Sequence, residues 1–176
     1  MSHDFARVGE TVRYQGRMVR MSTLHIEAPD GGVHDRDYVH HPGAVAVVPV
    51  LDYGSIVLVR QYRSAIDRPT LELPAGVRDK DGEDAAGAAA RELAEETGYV
   101  ADSMEHLVTV HTAPGFSNEE ITIFLARGLT LHETEYDGVE EQHMTTETLT
   151  RDEVLARIAA GELTDAKTVL AVHMLG

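Results

Sequence analysis

Between Glu10 and Glu27 polar and apolar residues alternate, as in Thr11-Val12-Arg13-Tyr14 and Met18-Val19-Arg20-Met21, with Gln15-Gly16 as a turn between them. Period-two alternation of this kind predicts an N-terminal β-hairpin. Pro29-Asp30-Gly31-Gly32 is a second turn, Val33 to His40 a further strand, and His41-Pro42-Gly43 a break. Beyond it the pattern changes to the continuous apolar runs Ala44 to Val50 and, after Asp52-Tyr53-Gly54, Ile56 to Tyr62. Runs without alternation are covered on both faces, so these two form the centre of a sheet. Asp84 to Thr97 is the strongest helix signal, rich in alanine, with Asp81 or Asp84 as N-cap and Gly98 where a left-handed cap belongs. Three more strands fall near Leu107 to His111, Ile121 to Arg127 and Thr145 to Leu149, separated by the Pro114-Gly115 turn and an acidic loop from Glu133 to Gln142. Thr150 and Glu153 open a helix to Ala160 with a capping box, and a last helix starts at Thr164 or Asp165. The predicted architecture is α/β (α+β). A small antiparallel β unit occupies residues 1–42, and an α/β body occupies 43–176.

Composition narrows the function classes. The chain has 176 residues, 43% hydrophobic and 26% charged, enough for one domain with a real core and a small appendage. A formal net charge of −15 repels nucleic acid, so no nucleic-acid partner is expected. With no cysteine there is no disulfide, thiolate zinc site or cysteine nucleophile, and a metal must be held by carboxylates, histidines or carbonyls. The first ten residues already contain Asp4, Arg7 and Glu10, and the longest apolar run, Ala44 to Leu51, is far below the roughly 20 residues that cross a bilayer. A cytoplasmic protein without membrane contact is expected.

The chemistry is carried by Arg91-Glu92-Leu93-Ala94-Glu95-Glu96-Thr97-Gly98. At about 100° per residue, Glu96 lies about 40° to one side of Glu92 and Glu95 about 60° to the other, so three carboxylates share a helix face. Arg91 reaches Glu95 one turn later. Ala86, Ala89, Ala90, Leu93 and Thr97 make a narrow stripe of mostly small residues suited to packing on a sheet. An acidic face by itself commonly just faces water. Three like charges within one turn also repel, however, and a hard divalent cation among them removes that cost, with magnesium the natural candidate. Upstream, Leu71-Glu72-Leu73-Pro74-Ala75-Gly76 reads as a strand end running into a Pro-Ala-Gly turn, and Glu83 is placed to neutralise Arg91.

Gly76, Glu83, Arg91, Glu92, Leu93, Glu95, Glu96, Gly98 and Tyr99 together resemble the signature box of the Nudix hydrolases, which cleave a nucleoside diphosphate linked to another group. One departure stands out: six residues separate Gly76 from Glu83 where the family has five, and the extra one falls in the loop Asp79-Lys80-Asp81-Gly82. Val59-Arg60-Gln61-Tyr62-Arg63, Pro114 and Gly161-Glu162-Leu163-Thr164-Asp165-Ala166-Lys167-Thr168 are similar to segments of the ADP-ribose pyrophosphatase subfamily. The resemblance implies a Nudix α/β/α sandwich with a mixed sheet, and a homodimer in which the N-terminal β unit is swapped. It implies metal-dependent hydrolysis of ADP-ribose to AMP and ribose 5-phosphate, with Mg2+ as cofactor and Mn2+ able to substitute. Glu92, Glu95, Glu96 and the Ala75 carbonyl then hold metal, and Gly76, Glu83, Arg91 and Gly98 shape the box. Glu95 joins the catalytic set, and a general base comes from the late acidic loop, Glu141 first and Glu140 second. Arg60, Arg63, Glu72, Phe116 and Ser117 bind the substrate, the arginines because a planar fork suits phosphate. Tyr14, Tyr38 and Tyr62 are candidates to stack on adenine, each also readable as packing, and His40-His41 is given no ligand role. Another nucleoside diphosphate sugar, such as an ADP-hexose or GDP-mannose, stays open as the substrate. So does a sensor that binds ADP-ribose without cleaving it.

Overall fold

The computed structural model describes residues 4–132 and 143–175, which divide into two compact units. The first comprises the chain up to Gly43 together with Val110–Ile121. Its strands β1 (Ala6–Gln15), β2 (Arg20–Glu27) and β3 (Val33–His40) form an antiparallel sheet in that order. The hairpin closes where the Gly16 N–H donates to the Val19 carbonyl at 2.9 Å. Val110–Ile121 is held in this unit by hydrogen bonds. The Val39 N–H donates to the Phe116 carbonyl at 2.7 Å, and the Asn118 side chain bonds both the N–H and the carbonyl of His41. Hydrogen bonds of this kind carry no hydrophobic pattern, so the segment's attachment is invisible in the sequence.

The second unit comprises Ala44–Thr109 and Thr122 onward. It contains β4 (Ala44–Pro49), β5 (Ile56–Arg63), a 3-10 turn at Ser64–Ile66, β6 (Arg68–Glu72), β7 (Ala75–Val77), α1 (Ala85–Thr97) and all of β8 (Tyr99–His111) but its last two residues. All of β9 (Glu120–Leu131) but its first two residues, β10 (Thr145–Leu149), α2 (Arg151–Ala159) and α3 (Ala166–Met174) complete it. One sheet runs β7-β4-β9-β8 and the other β10-β5-β6. Both apolar runs are sheet centres, as their pattern requires: all of β4 is buried, and Ile56–Val59 are at most 1% exposed. The result is a mixed α/β architecture.

Two local readings need correction. Pro74-Ala75-Gly76 is not simply a turn, because Ala75–Val77 forms β7 and pairs antiparallel with β4, Ala46 facing Ala75 and Ala44 facing Val77. The strand expected near Leu107 begins instead at Tyr99 and runs 13 residues. It lies at the end of the sheet order, where polar residues such as Asp102, Ser103 and Glu105 stay exposed and blur the alternation.

Helix α1 is capped by Asp84, whose carboxylate accepts the Gly87 N–H at 2.7 Å, and by Gly98 at φ 73°. Its buried stripe carries Ala88, Ala89 and Leu93, packed with Val45, Val47, Phe124 and Ala126. Ala90, expected in that stripe, is exposed, and Ala88 takes its place. Small residues at the contact bring the helix close to the sheet, and that proximity also buries Glu92 and Glu96. α2 begins with the Thr150–Glu153 capping box and α3 with Asp165 as N-cap. No helix among the described residues is long and apolar enough to cross a membrane.

Candidate active site

Arg91 organises the acidic face of α1. Its Nη1 donates to Glu92 Oε1 at 2.7 Å and to Glu95 Oε2 at 2.8 Å, while Nε and Nη2 reach the Glu83 carboxylate at 3.1 and 3.0 Å. The bond from Glu83 is the foremost reason the guanidinium's pKa is raised, and the same bond lowers that of Glu83. Lys80, in the loop with the extra residue, stands 3.6 Å from Glu95.

Strand β7 meets the same face. The Ala75 N–H donates to Glu96 Oε2 at 3.0 Å, and a Cβ on Gly76 would fall 2.0–2.2 Å from the Glu92 carboxylate atoms. Glycine is therefore required there by the approach of a carboxylate. Burial pushes the Glu96 carboxyl up to about 8, aided by the charge of Glu92 and opposed by the Ala75 N–H, Lys167 and Arg63. Two carboxylates drawn into a protein beside a strand backbone are hard oxygen donors that call for a cation. No group of three acidic or histidine side chains among the described residues is yet gathered tightly enough to hold an ion, and Arg91 engages Glu92 and Glu95 itself. The donor set fits a divalent metal in its chemistry.

A second cluster surrounds Glu72, which is 3% exposed. Arg63 grips it with a fork, Nε to Oε1 at 2.9 Å and Nη2 to Oε2 at 2.6 Å, and Thr70 Oγ1 and Lys167 Nζ also donate to it. Burial raises the Glu72 carboxyl, but Arg63 and Lys167 outweigh it and bring the pKa down to about 2. Arg63 and Lys167 also act electrostatically on Glu96, so this cluster adjoins the carboxylate helix.

Within the second unit the structure separates Arg60 from this place. Arg60 and Arg63 are three apart on a regular strand and so point to opposite faces of β5. Arg60 is engaged by Glu147, at 2.5 and 2.9 Å, and Glu147 also accepts from Arg157. Phe116 and Ser117 belong to the first unit, where Ser117 Oγ donates to the Val39 carbonyl and Phe116 is exposed. Tyr62 donates to Asp67, Tyr38 packs edge-on against His40, and Tyr14 is exposed. Glu140 and Glu141 lie outside the described residues. Sequence reasoning gave no role to Lys167, although it is one of only two lysines and sits in the Asp165-Ala166-Lys167-Thr168 segment.

Residues 40–170 match the model of the NUDIX domain, and the chain belongs to the Nudix family. It is 40% identical to the methanol dehydrogenase activator of Bacillus methanolicus over 92% of this chain and 87% of that one. It is 36% identical to the ADP-ribose pyrophosphatase of Bacillus subtilis (strain 168), with the same coverage of 92% and 87%. Its fold matches the crystal structure of an ADP compounds hydrolase with a TM-score of 0.84 at 21% identity, covering 97% of this chain and 91% of the other. The protein is a Nudix pyrophosphohydrolase, and dependence on a divalent cation is a general property of that family.

The raised Glu96 carboxyl sets a stability trend with pH. In the metal-free folded protein Glu96 keeps its proton up to about pH 8, against an ordinary value of 4.5. The folded state therefore binds this proton more tightly, and the associated stability is complete below 4.5 and lost as pH rises towards 8. Glu72, with its lowered pKa, acts only below that window. Thermal midpoints of EDTA-treated protein should fall more between about pH 5 and pH 8 for the natural chain than for Glu96→Gln. Parallel curves for the two proteins would show that Glu96 does not titrate there.

Proposed function

We propose that the protein hydrolyses the diphosphate of ADP-ribose to AMP and ribose 5-phosphate with Mg2+. The observation that carries this reading is the buried Glu92–Glu96 pair pressed against Ala75 and Gly76 in a chain of the Nudix family. The similarity to an ADP-ribose pyrophosphatase supports the choice of substrate. Glu92, Glu95, Glu96 and the Ala75 carbonyl would hold the cation, which when bound neutralises phosphate oxygens and makes water a better nucleophile. Arg91, fixed by Glu83, orients Glu92 and Glu95. Arg63 offers a planar fork to the diphosphate, and we build on it rather than on Arg60 because Arg63 acts electrostatically on Glu96 while Arg60 lies on the other face of β5. Glu141, or failing it Glu140, takes the proton of the attacking water. Glu141→Gln should lower kcat roughly a hundredfold to ten-thousandfold with Mg2+ affinity unchanged. An unaltered kcat would move the base elsewhere.

The direct test is chromatography of products after incubation with ADP-ribose and Mg2+, with an EDTA control. AMP and ribose 5-phosphate formed only with the metal are the expected result. Turnover of an ADP-hexose or GDP-mannose instead would change the sugar or base, and no turnover of any such compound would favour a sensor. We further read the protein as a cytoplasmic homodimer. The first unit exposes Phe5, Val8, Val12, Tyr14, Met18 and Met21, apolar surface that a second copy would cover. Light scattering should then give twice 19.2 kDa, and a single-chain mass would overturn the dimer.

A further inference from the structure

We propose that Lys167 is a positioning residue for Arg63. It keeps the buried Glu72 carboxylate neutralised while Arg63 leaves it for the substrate's diphosphate. The inference rests on the reading of Arg63 as a diphosphate ligand.

Glu72 is shared by two cations that differ in freedom. The Arg63 side chain is 42% exposed, whereas that of Lys167 is 11% exposed. Arg63 is thus the cation that a solute can reach, and Lys167 is the one built into the protein. The anchoring of Lys167 is detailed. Its Nζ donates to Asp165 Oδ1 at 3.0 Å, and Asp165 Oδ2 accepts from the Thr168 N–H at 3.0 Å and from Thr168 Oγ1 at 2.5 Å. Thr168 is fully buried, and its Oγ1 accepts the Leu73 N–H at 2.8 Å. The first turn of α3 is therefore fastened to the chain directly after Glu72, which fixes Lys167 against that carboxylate.

A ligand that recruits Arg63 must break both bonds of its fork with Glu72. Stripping a buried carboxylate of its partner is strongly unfavourable, because the charge is left desolvated and unpaired. Lys167 and Thr70 remain on Glu72 and meet that demand. Without Lys167 the Arg63 fork is the sole cation on Glu72 among the described residues, and the ligand must compete with it for the guanidinium.

The test is a double-mutant cycle on the full chain with Lys167→Met and Arg63→Ala. The readouts are kcat and KM for ADP-ribose with Mg2+, and Kd for ADP-ribose titrated into EDTA-treated protein, where no turnover interferes. Lys167→Met should raise KM and Kd about tenfold, within the coupling of contacting groups, and leave kcat within about threefold. Lys167→Arg should restore most of the loss. In the Arg63→Ala background Lys167→Met should have no further effect. Lys167→Gln serves if the Met variant does not fold. An equal rise in both backgrounds, or a fall in kcat at constant KM, overturns the inference. Arg63→Ala with unchanged KM and Kd would instead overturn the reading of Arg63 on which it rests.

Discussion

Glu96→Gln should lower turnover by about a thousandfold, since a metal ion contributes several kcal/mol of transition-state stabilisation and each 1.4 kcal/mol is tenfold in rate. The substitution is nearly isosteric, and its amide oxygen can still accept the Ala75 N–H that Glu96 Oε2 accepts at 3.0 Å. Only the charge is removed. Burial already holds the Glu96 carboxyl up to about 8 in the metal-free chain, so the neutral amide resembles its metal-free state at neutral pH. The fold should persist with a thermal midpoint at pH 7 equal to or above that of the natural protein. Calorimetric titration with Mg2+ should show weakened binding alongside the lost turnover. Natural Mg2+ affinity in the variant would remove Glu96 from the ligand set.

Gly76→Ala should cut kcat about a hundredfold, the scale at which a displacement near 1 Å disables a positioned group. The new Cβ would meet Glu92 at 2.0 Å from its carboxyl carbon and 2.2 Å from both oxygens, distances no side chain tolerates. The clash falls on the far end of a flexible side chain, so Glu92 swings away and the backbone holds. Circular dichroism and the melting curve should change little while activity falls. Adding Gly76→Ala to Glu92→Ala should then cause no further loss, because the group it displaces is gone. Full activity in Gly76→Ala would mean that the Glu92 carboxylate is dispensable.

Much of this site is legible in one dimension. The spacing of Glu92, Glu95 and Glu96 fixes a shared helix face because the helix has a constant period, and Arg91 lies one turn before Glu95 as the bond at 2.8 Å requires. The pairing of Glu83 with Arg91 follows from the same short stretch. The apolar runs of β4 and β5 mark sheet centres because nothing but burial on both faces suits them. Arg60 and Arg63 show the limit of reading residue type without period: a planar fork suits phosphate at either position, while an odd separation on a strand divides them between two faces.

By itself, then, the sequence determined what is set by short-range periodicity and by chemistry that neighbouring residues share: the helix and its caps, the carboxylate face, the buried strands and the family motif. Tertiary structure decided what depends on residues far apart in the chain. It placed Ala75 on Glu96, 21 positions away, and Lys167 on Glu72, 95 positions away. It raised one buried carboxyl and lowered the other, according to the partners each found. A pKa depends on desolvation and on the charges that folding assembles, and neither is a property of local order along the chain.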